Sequence, residues 1–203
     1  DYMSKEIAEN GNVTRAALSI DEAEILGLVE CIEQSQMTYL TGMGTAFYVG
    51  AMAQYIFSKY AGRYLPTLSA DEMPYLVDFK AGDHVLAISQ SGETYDTLKA
   101  MRQAKKSGAK TSVILNVPTS SMAREFDLHI NQKAGPEICV LSTKATVSQL
   151  VIVQRVALEL GKRSGHLSEQ DYQDSQSELE RLPVLFDQLS QRAPGKLRDL
   201  ARQ

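Results

Sequence analysis

Five residues, His84-Val85-Leu86-Ala87-Ile88, followed at once by the polar stretch Ser89-Gln90-Ser91-Gly92-Glu93-Thr94, narrow the folds open to this chain more than any other feature. A strand that is apolar at successive positions has no solvent face. Both of its sides must be covered, which is the condition of a central strand in a parallel sheet. The crossover helix that such a sheet requires is present: Tyr95, Leu98, Met101 and Ala104 fall at helical spacing after the loop. Gly108 closes that helix, and Lys105 and Lys106 complement its C-terminal dipole.

The same alternation recurs along the chain. Residues 37–41 read as a strand, followed by Gly42-Met43-Gly44 and a long helix over 45–60 with Gly62 as its stop. Residues 63–68 are a short strand candidate, 71–79 a short helix, and 111–115 a further strand ended by Asn116-Val117-Pro118. Weaker strands are expected at 127–130 and 138–141, and a long apolar-faced helix over 142–160. Repeated strand–helix alternation with β-branched runs predicts an α/β fold, a three-layer, doubly wound sheet of about five parallel strands in flavodoxin-like order. Helical extensions flank it. Residues 21–34 place Ile25, Leu26, Leu28, Val29 and Ile32 on an amphipathic stretch. Beyond Gly165 the composition turns polar, with Leu179, Leu182, Leu185 and Leu189 on a helix expected to break near Pro183. Those leucines dock the segment on the core, or else serve a dimer or a second domain. The expected organisation is an N-terminal helical extension (1–20), a central domain (21–165) and a helical connector (166–203).

Composition excludes several function classes. With 203 residues, 43% hydrophobic and 23% charged, the chain can bury a core without disulfide or metal staples. Its 21 basic and 25 acidic residues give a formal charge of -4, and no basic cluster exceeds Lys105-Lys106, so nucleic acid is not an expected partner. Apolar runs stop at four residues, far short of the roughly 20 that span a bilayer, so no membrane is expected. The opening residues lack the basic-then-apolar pattern of a signal peptide, so none is expected there. Cys31 and Cys139 lack CxxC partners and read as reduced thiols of a cytoplasmic protein. The chain opens at Asp1-Tyr2-Met3 and stops within a helical pattern, as a piece of a longer protein would.

Ligands of an open parallel sheet bind beyond the carboxyl ends of its strands, so the strand-to-helix loops are where chemistry can sit. In the first, Gly42-Met43-Gly44-Thr45-Ala46, a dinucleotide fingerprint fails because Phe47 stands where GxGxxG needs glycine. The Gly44 turn is either structural or turns its amides and the Thr45 hydroxyl toward a ligand. The second, Ser89–Thr94, joins three hydroxyls, Gln90 and the permissive Gly92 to a helix start, which suits a phosphate monoester held by neutral donors. Without lysine it is no Walker loop. An ordinary capping box is the alternative, but a cap needs only one hydroxyl. Glu93 is expected to point outward, since a carboxylate turned inward repels phosphate. The third loop runs from Ala134-Gly135-Pro136-Glu137 to Val140-Leu141-Ser142-Thr143-Lys144-Ala145. Ser142 is a candidate N-cap or ligand contact. Lys144 opposes the helix dipole and so needs a ligand or a carboxylate.

No nucleophilic triad or metal site emerges: His84 and His129 fit structural roles, His166 lies in the connector, and Asp71-Glu72 fits a helix-stabilising pair. No cofactor is implied.

These motifs in this order, Ser89-Gln90-Ser91-Gly92-Glu93-Thr94, Ala134-Gly135-Pro136-Glu137-Ile138 and Ser142-Thr143-Lys144-Ala145, resemble the first sugar isomerase (SIS) repeat of the glutamine–fructose-6-phosphate aminotransferase (isomerizing) family. The likeness runs from Tyr2-Met3-x-Lys5-Glu6-Ile7 to Arg181-Leu182-Pro183. It implies that Ser89, Gln90, Ser91 and Thr94, with Thr45, bind the phosphate of fructose 6-phosphate or glucosamine 6-phosphate, and that the Val140 backbone contacts the sugar. The family's Cys-Gly-Thr-Ser turn has Met43 and Ala46 here in place of its cysteine and serine, which removes one hydroxyl contact. The resemblance also implies a homodimer, a preceding glutaminase domain, and a second SIS repeat. That repeat carries the proton-transferring glutamate, the ring-opening histidine and the Schiff-base lysine, so this chain holds substrate without completing the chemistry. A related deglycase or ketose/aldose isomerase of phosphorylated amino sugars is an alternative. So is a non-catalytic sugar-phosphate sensor, although this acidic chain lacks the basic helix-turn-helix such regulators carry.

Overall fold

The computed structural model describes residues 2–200. In chain order the elements are α1 (Tyr2–Ala8), α2 (Asn10–Leu18), α3 (Glu22–Gln34), β1 (Thr38–Gly42), α4 (Thr45–Ala61), β2 (Thr67–Ser69) and α5 (Met73–Leu76). Then follow β3 (His84–Ser89), α6 (Tyr95–Lys106), β4 (Lys110–Leu115), α7 (Ser121–Glu125), β5 (Leu128–Asn131), α8 (Lys144–Arg163) and α9 (Glu169–Leu200).

The sheet is five-stranded, all parallel, in the order β2-β1-β3-β4-β5. One row across it runs Thr67, Leu40, Leu86, Ser112 and Leu128. Every residue of β3 is buried, as its apolar run requires. The pleat sends Leu86 and Ile88 to one face, where they join Ile25, Ile32, Val49, Phe57 and Ile152 of α3, α4 and α8. Val85 and Ala87 point the other way, onto Met73, Leu98, Met101 and Met122 of α5, α6 and α7. Each of these side chains larger than alanine contributes about 1.5–3 kcal/mol through burial. The chain order reverses between β1 and β3, so the loops leaving their carboxyl ends diverge and leave a crevice there. Among the described residues no helix is long and apolar enough to cross a membrane.

Three expectations are corrected. Residues 138–141 form no strand: the Ile138 and Cys139 N–H groups donate to Glu6 Oε1, at 2.7 and 3.1 Å, instead of to a ladder partner. Helix α9 passes through Pro183 without a break. A helix-interior proline costs about 3 kcal/mol, and here it is buried in the contact with α2, where Gly11 leaves room for the Pro183 carbonyl and Asp187 pairs with Arg15. Finally, α8 begins at Lys144 with Thr143 at its N-cap position, so Ser142 is not the cap.

Candidate functional site

A cleft of about 370 Å³ opens at the β1/β3 crevice. Met43, Gly44, Thr45 and Ala46 line it from the first loop, Ile88, Ser89, Gln90, Ser91 and Thr94 from β3 and its loop, and Val140, Leu141, Ser142 and Gln149 from the third loop and α8. Of the ten site candidates, eight line this cleft. Gly92 supports the loop from beneath, and Lys144 lies elsewhere.

The second loop is wound by its own hydroxyls. Ser89 Oγ, 2% exposed, accepts from Gly92 N at 3.0 Å, and Ser91 Oγ accepts from Glu93 N at 3.2 Å. Each oxygen thus accepts one loop N–H, and both hydroxyl protons remain to be donated. Gly92 has φ +66°, and a Cβ there would collide with Ser120 Oγ. Glu93 points away from the cleft, as expected: its Oε1 accepts from Ser121 N at 2.7 Å. The Ser121 N–H and hydroxyl hold its carboxyl below the usual range, so a fixed negative charge sits on α7 rather than beside the ligand.

Five helices follow the strands at the carboxyl edge of the sheet; leaving aside the four-residue α5, their caps differ. Ser120 caps α7. Glu137 Oε1 accepts from Thr143 N at 2.8 Å and Ala145 N at 3.0 Å, closing the start of α8. In contrast, neither α4 nor α6 has a side-chain cap, and Thr94 stands at the N-cap of α6 with its hydroxyl unused for capping. The capping-box reading of Ser89–Thr94 therefore does not describe this loop. The first-turn N–H groups of a helix have no intrahelical acceptor, and together with the dipole they attract an anion. Gly44, at φ +56° with nothing within 4 Å of where a Cβ would stand, brings the α4 start to the cleft.

The third loop is held by three carboxylates. Besides Ile138 and Cys139, Glu6 takes the Thr143 hydroxyl at 2.8 Å on Oε2. Burial pushes the Glu6 carboxyl up, but the Ile138 and Cys139 N–H groups, the Thr143 hydroxyl and the Lys144 charge outweigh it and hold the group low. Lys144, buried, pairs with Glu9, so its opposition to the dipole is answered by a carboxylate. This scaffold sets Val140, fully exposed, and Leu141 at the cleft mouth.

Gln149 was not expected in the site. It is 1% exposed, and its Nε2 has no hydrogen-bond partner. A buried polar group left unpaired costs about 1–3 kcal/mol. The signal lay in the helical register: Ala145, Ser148, Gln149, Ile152 and Val156 form one buried stripe of α8, on which a glutamine is out of place. The holding role of Glu6 had no local signal, because its contacts lie more than 130 residues away. None of the residues lining the cleft carries a carboxylate, imidazole, thiol or amine. The cleft offers hydroxyl, amide and main-chain donors, and no group able to move a proton at neutral pH.

Among known proteins, the SIS domain family matches residues 32–158. The chain is 39% identical over 184 residues to the glutamine–fructose-6-phosphate aminotransferase [isomerizing] of Methanocaldococcus jannaschii, covering 90% of this chain and 16% of that protein. In eight such curated relatives the chain spans 16% to 33% of their length. The solved C-terminal domain of glucosamine-fructose-6-phosphate aminotransferase from Francisella tularensis superposes with a TM-score of 0.82 at 34% identity, over 91% of this chain and 54% of that one. The Vibrio vulnificus NanR protein complexed with ManNAc-6P shares the fold, with a TM-score of 0.64 at 20% identity over 88% of this chain and 67% of that one.

Proposed function

This chain belongs to the SIS domain family, and from that premise we propose that it binds fructose 6-phosphate or glucosamine 6-phosphate. In this reading it is the first SIS repeat of an isomerizing glutamine–fructose-6-phosphate aminotransferase. The observation that carries the reading is the pairing of two uncapped helix starts, α4 and α6, with the Ser89–Thr94 hydroxyls around one cleft. Such a cradle fits a phosphate dianion through neutral donors. The phosphate lies on Ser89, Gln90, Ser91, Thr94 and Thr45, and the sugar extends toward Val140. The name of the Methanocaldococcus relative supports the substrate, and the sugar phosphate in the Vibrio complex supports the ligand class.

Proton transfer between sugar carbons needs a positioned acid or base, and the cleft wall has none. The chain's part is therefore to bind and orient, with remote phosphate binding energy placing the reacting carbons. The acid–base groups come from a second SIS repeat, ammonia from a glutaminase domain, and the assembly is a homodimer.

Calorimetric titration with fructose 6-phosphate, with fructose and inorganic phosphate as controls, tests this. Saturable binding of fructose 6-phosphate, tighter than that of inorganic phosphate and absent with fructose, is the expected result; no binding of fructose 6-phosphate overturns it. Met43 and Ala46, both at the cleft, favour a second reading as a deglycase or ketose/aldose isomerase of a phosphorylated amino sugar. Glutamine consumption in the presence of fructose 6-phosphate by the parent polypeptide decides between the two.

A further inference from the structure

Among the described residues, the buried side-chain atoms without a partner belong to Asn10, Thr67, Thr97, Gln132 and Gln149, and of these only Gln149 lines the cleft. The Gln149 Nε2 is buried without a hydrogen-bond partner, while an adjacent residue on the same helix, Ser148, donates its hydroxyl to the Gln132 carbonyl at 2.6 Å. Packing alone does not explain the glutamine, because Ile152 and Val156 fill the same stripe with apolar side chains. An amide carries two donors and an acceptor in one plane, which suits a hydroxyl-bearing carbon. It is also placed for one. The phosphate donors sit on the β3–α6 loop, whereas Gln149 belongs to α8, which follows directly on the third loop with Val140, Leu141 and Ser142.

We propose that Gln149 is a specificity-determining residue whose side-chain amide hydrogen-bonds a hydroxyl or carbonyl oxygen of the sugar, distinguishing a sugar phosphate from phosphate alone. The assignment rests on the reading of the cleft as a sugar-phosphate site. Within that reading it adds the group that selects the polyol end. A site that hydrogen-bonds a substrate oxygen rejects analogues lacking it, because its own polar group is then left unpaired.

Gln149→Leu and Gln149→Met keep the volume and remove the amide. Both are titrated with fructose 6-phosphate and with inorganic phosphate, and their Tm values are measured without ligand. The expected result is a tenfold or greater loss of fructose 6-phosphate affinity, inorganic phosphate unchanged within twofold, and a Tm equal to or above that of the unaltered chain. A higher Tm alongside weaker sugar binding is the mark of a polar group kept for a ligand at the fold's expense. Unchanged fructose 6-phosphate affinity in both variants overturns the proposal. So does parallel weakening of both ligands with a lower Tm, which makes Gln149 a structural residue. If the unaltered chain binds inorganic phosphate but no sugar phosphate, the Gln149 assignment fails and the phosphate cradle stands. If it binds neither, the reading of the cleft fails, and the assignment with it.

Discussion

Ser89 and Ser91 stand two residues apart in one loop, yet they carry different loads. Ser89 is buried and satisfies the buried Gly92 N–H, whereas Ser91 is partly exposed and holds the Glu93 N–H at the surface. Ser91→Ala is therefore expected to weaken fructose 6-phosphate binding about tenfold, one charge-assisted hydrogen bond, with little change in Tm. Ser89→Ala is expected to weaken binding and also lower Tm, since an orphaned buried N–H costs about 1–3 kcal/mol. Calorimetry and thermal melts on the pair read the difference, and unchanged affinity in both removes the loop from the site. His84 carries a load of another kind. Its ring is sealed in β3, with Nε2 2.9 Å from Ser112 Oγ and Nδ1 3.4 Å from Thr38 Oγ1. Burial, then the charge of Lys110, push its pKa down to about 4 against a partial lift from Asp127. A base whose folded pKa lies below its unfolded value of 6.5 contributes full stability above pH 6.5 and loses it as pH falls toward 4. The unfolded chain takes up the proton first in that window. The loss amounts to about 3 kcal/mol. Urea unfolding at pH 7, 5.5 and 4 is expected to show this slope in the unaltered chain and a flatter one in His84→Gln; equal slopes in both discount the buried imidazole.

At the scale of elements, the parts legible in the sequence are those whose period is set by local burial. Strand β3 and helix α6 were fully readable, because a run of four apolar residues and a 3.6-residue spacing each have one structural solution here. Residues 138–141 were not. Ile138, Val140 and Leu141 have strand-like side chains, but their backbone partners are decided by Glu6, more than 130 positions earlier. The run through Pro183 was illegible for the same reason, since the gain comes from α2 lying against it. Of the site, the phosphate loop was legible as a cluster of hydroxyls, and its supporting carboxylates were not, because a solvated glutamate and a loop-holding one look alike in a helix such as α1. Glu6 thus makes α1 a strut for the cleft mouth. Glu6→Ala is expected to raise amide exchange at Ile138 and Cys139 and to weaken sugar-phosphate binding five- to tenfold, leaving inorganic phosphate binding unchanged. Glu6→Gln, which keeps one acceptor oxygen for both N–H groups, is expected to recover most of the affinity. Unaltered exchange at those two amides in the alanine variant rules out the strut.

For the molecule as a whole, the question is what covers its apolar flank. Tyr48, Met52 and Tyr55 stand exposed along α4, Tyr55 by 79%, and Val184, Leu185 and Leu189 along α9. Between them a groove of about 230 Å³ is lined by Met52, Ile56, Val147, Leu150, Leu182 and Phe186. A contiguous apolar strip across three helices exceeds the scattered exposure that a monomer tolerates, and such strips mark interaction surfaces. The opposite flank differs: α6 presents Lys99, Arg102 and Lys106 to solvent, with Arg102 engaged by Glu125 through two 2.7 Å bonds. Tyr75, Leu76 and Tyr95 are exposed on that flank as well, but they stand beside these charged side chains, so the α4–α9 side is the better candidate for an interaction surface. The homodimer proposed above fits the apolar side, because a two-fold interface needs one self-complementary patch and the α4–α9 groove offers both ridge and furrow. Light scattering after size exclusion at about 100 μM, a concentration well above the micromolar Kd of a modest interface, is expected to give the mass of two chains. Met52→Glu places an unpaired carboxylate in the groove, where burial is costly, and is expected to return the mass of one chain with Tm within a few degrees. Since Met52 lies outside the residues lining the cleft, the monomeric variant should still bind inorganic phosphate with unchanged affinity. A single-chain mass for the unaltered protein, or a Met52→Glu variant that remains paired, assigns the flank to a different occupant, with the second SIS repeat proposed above next to be tested.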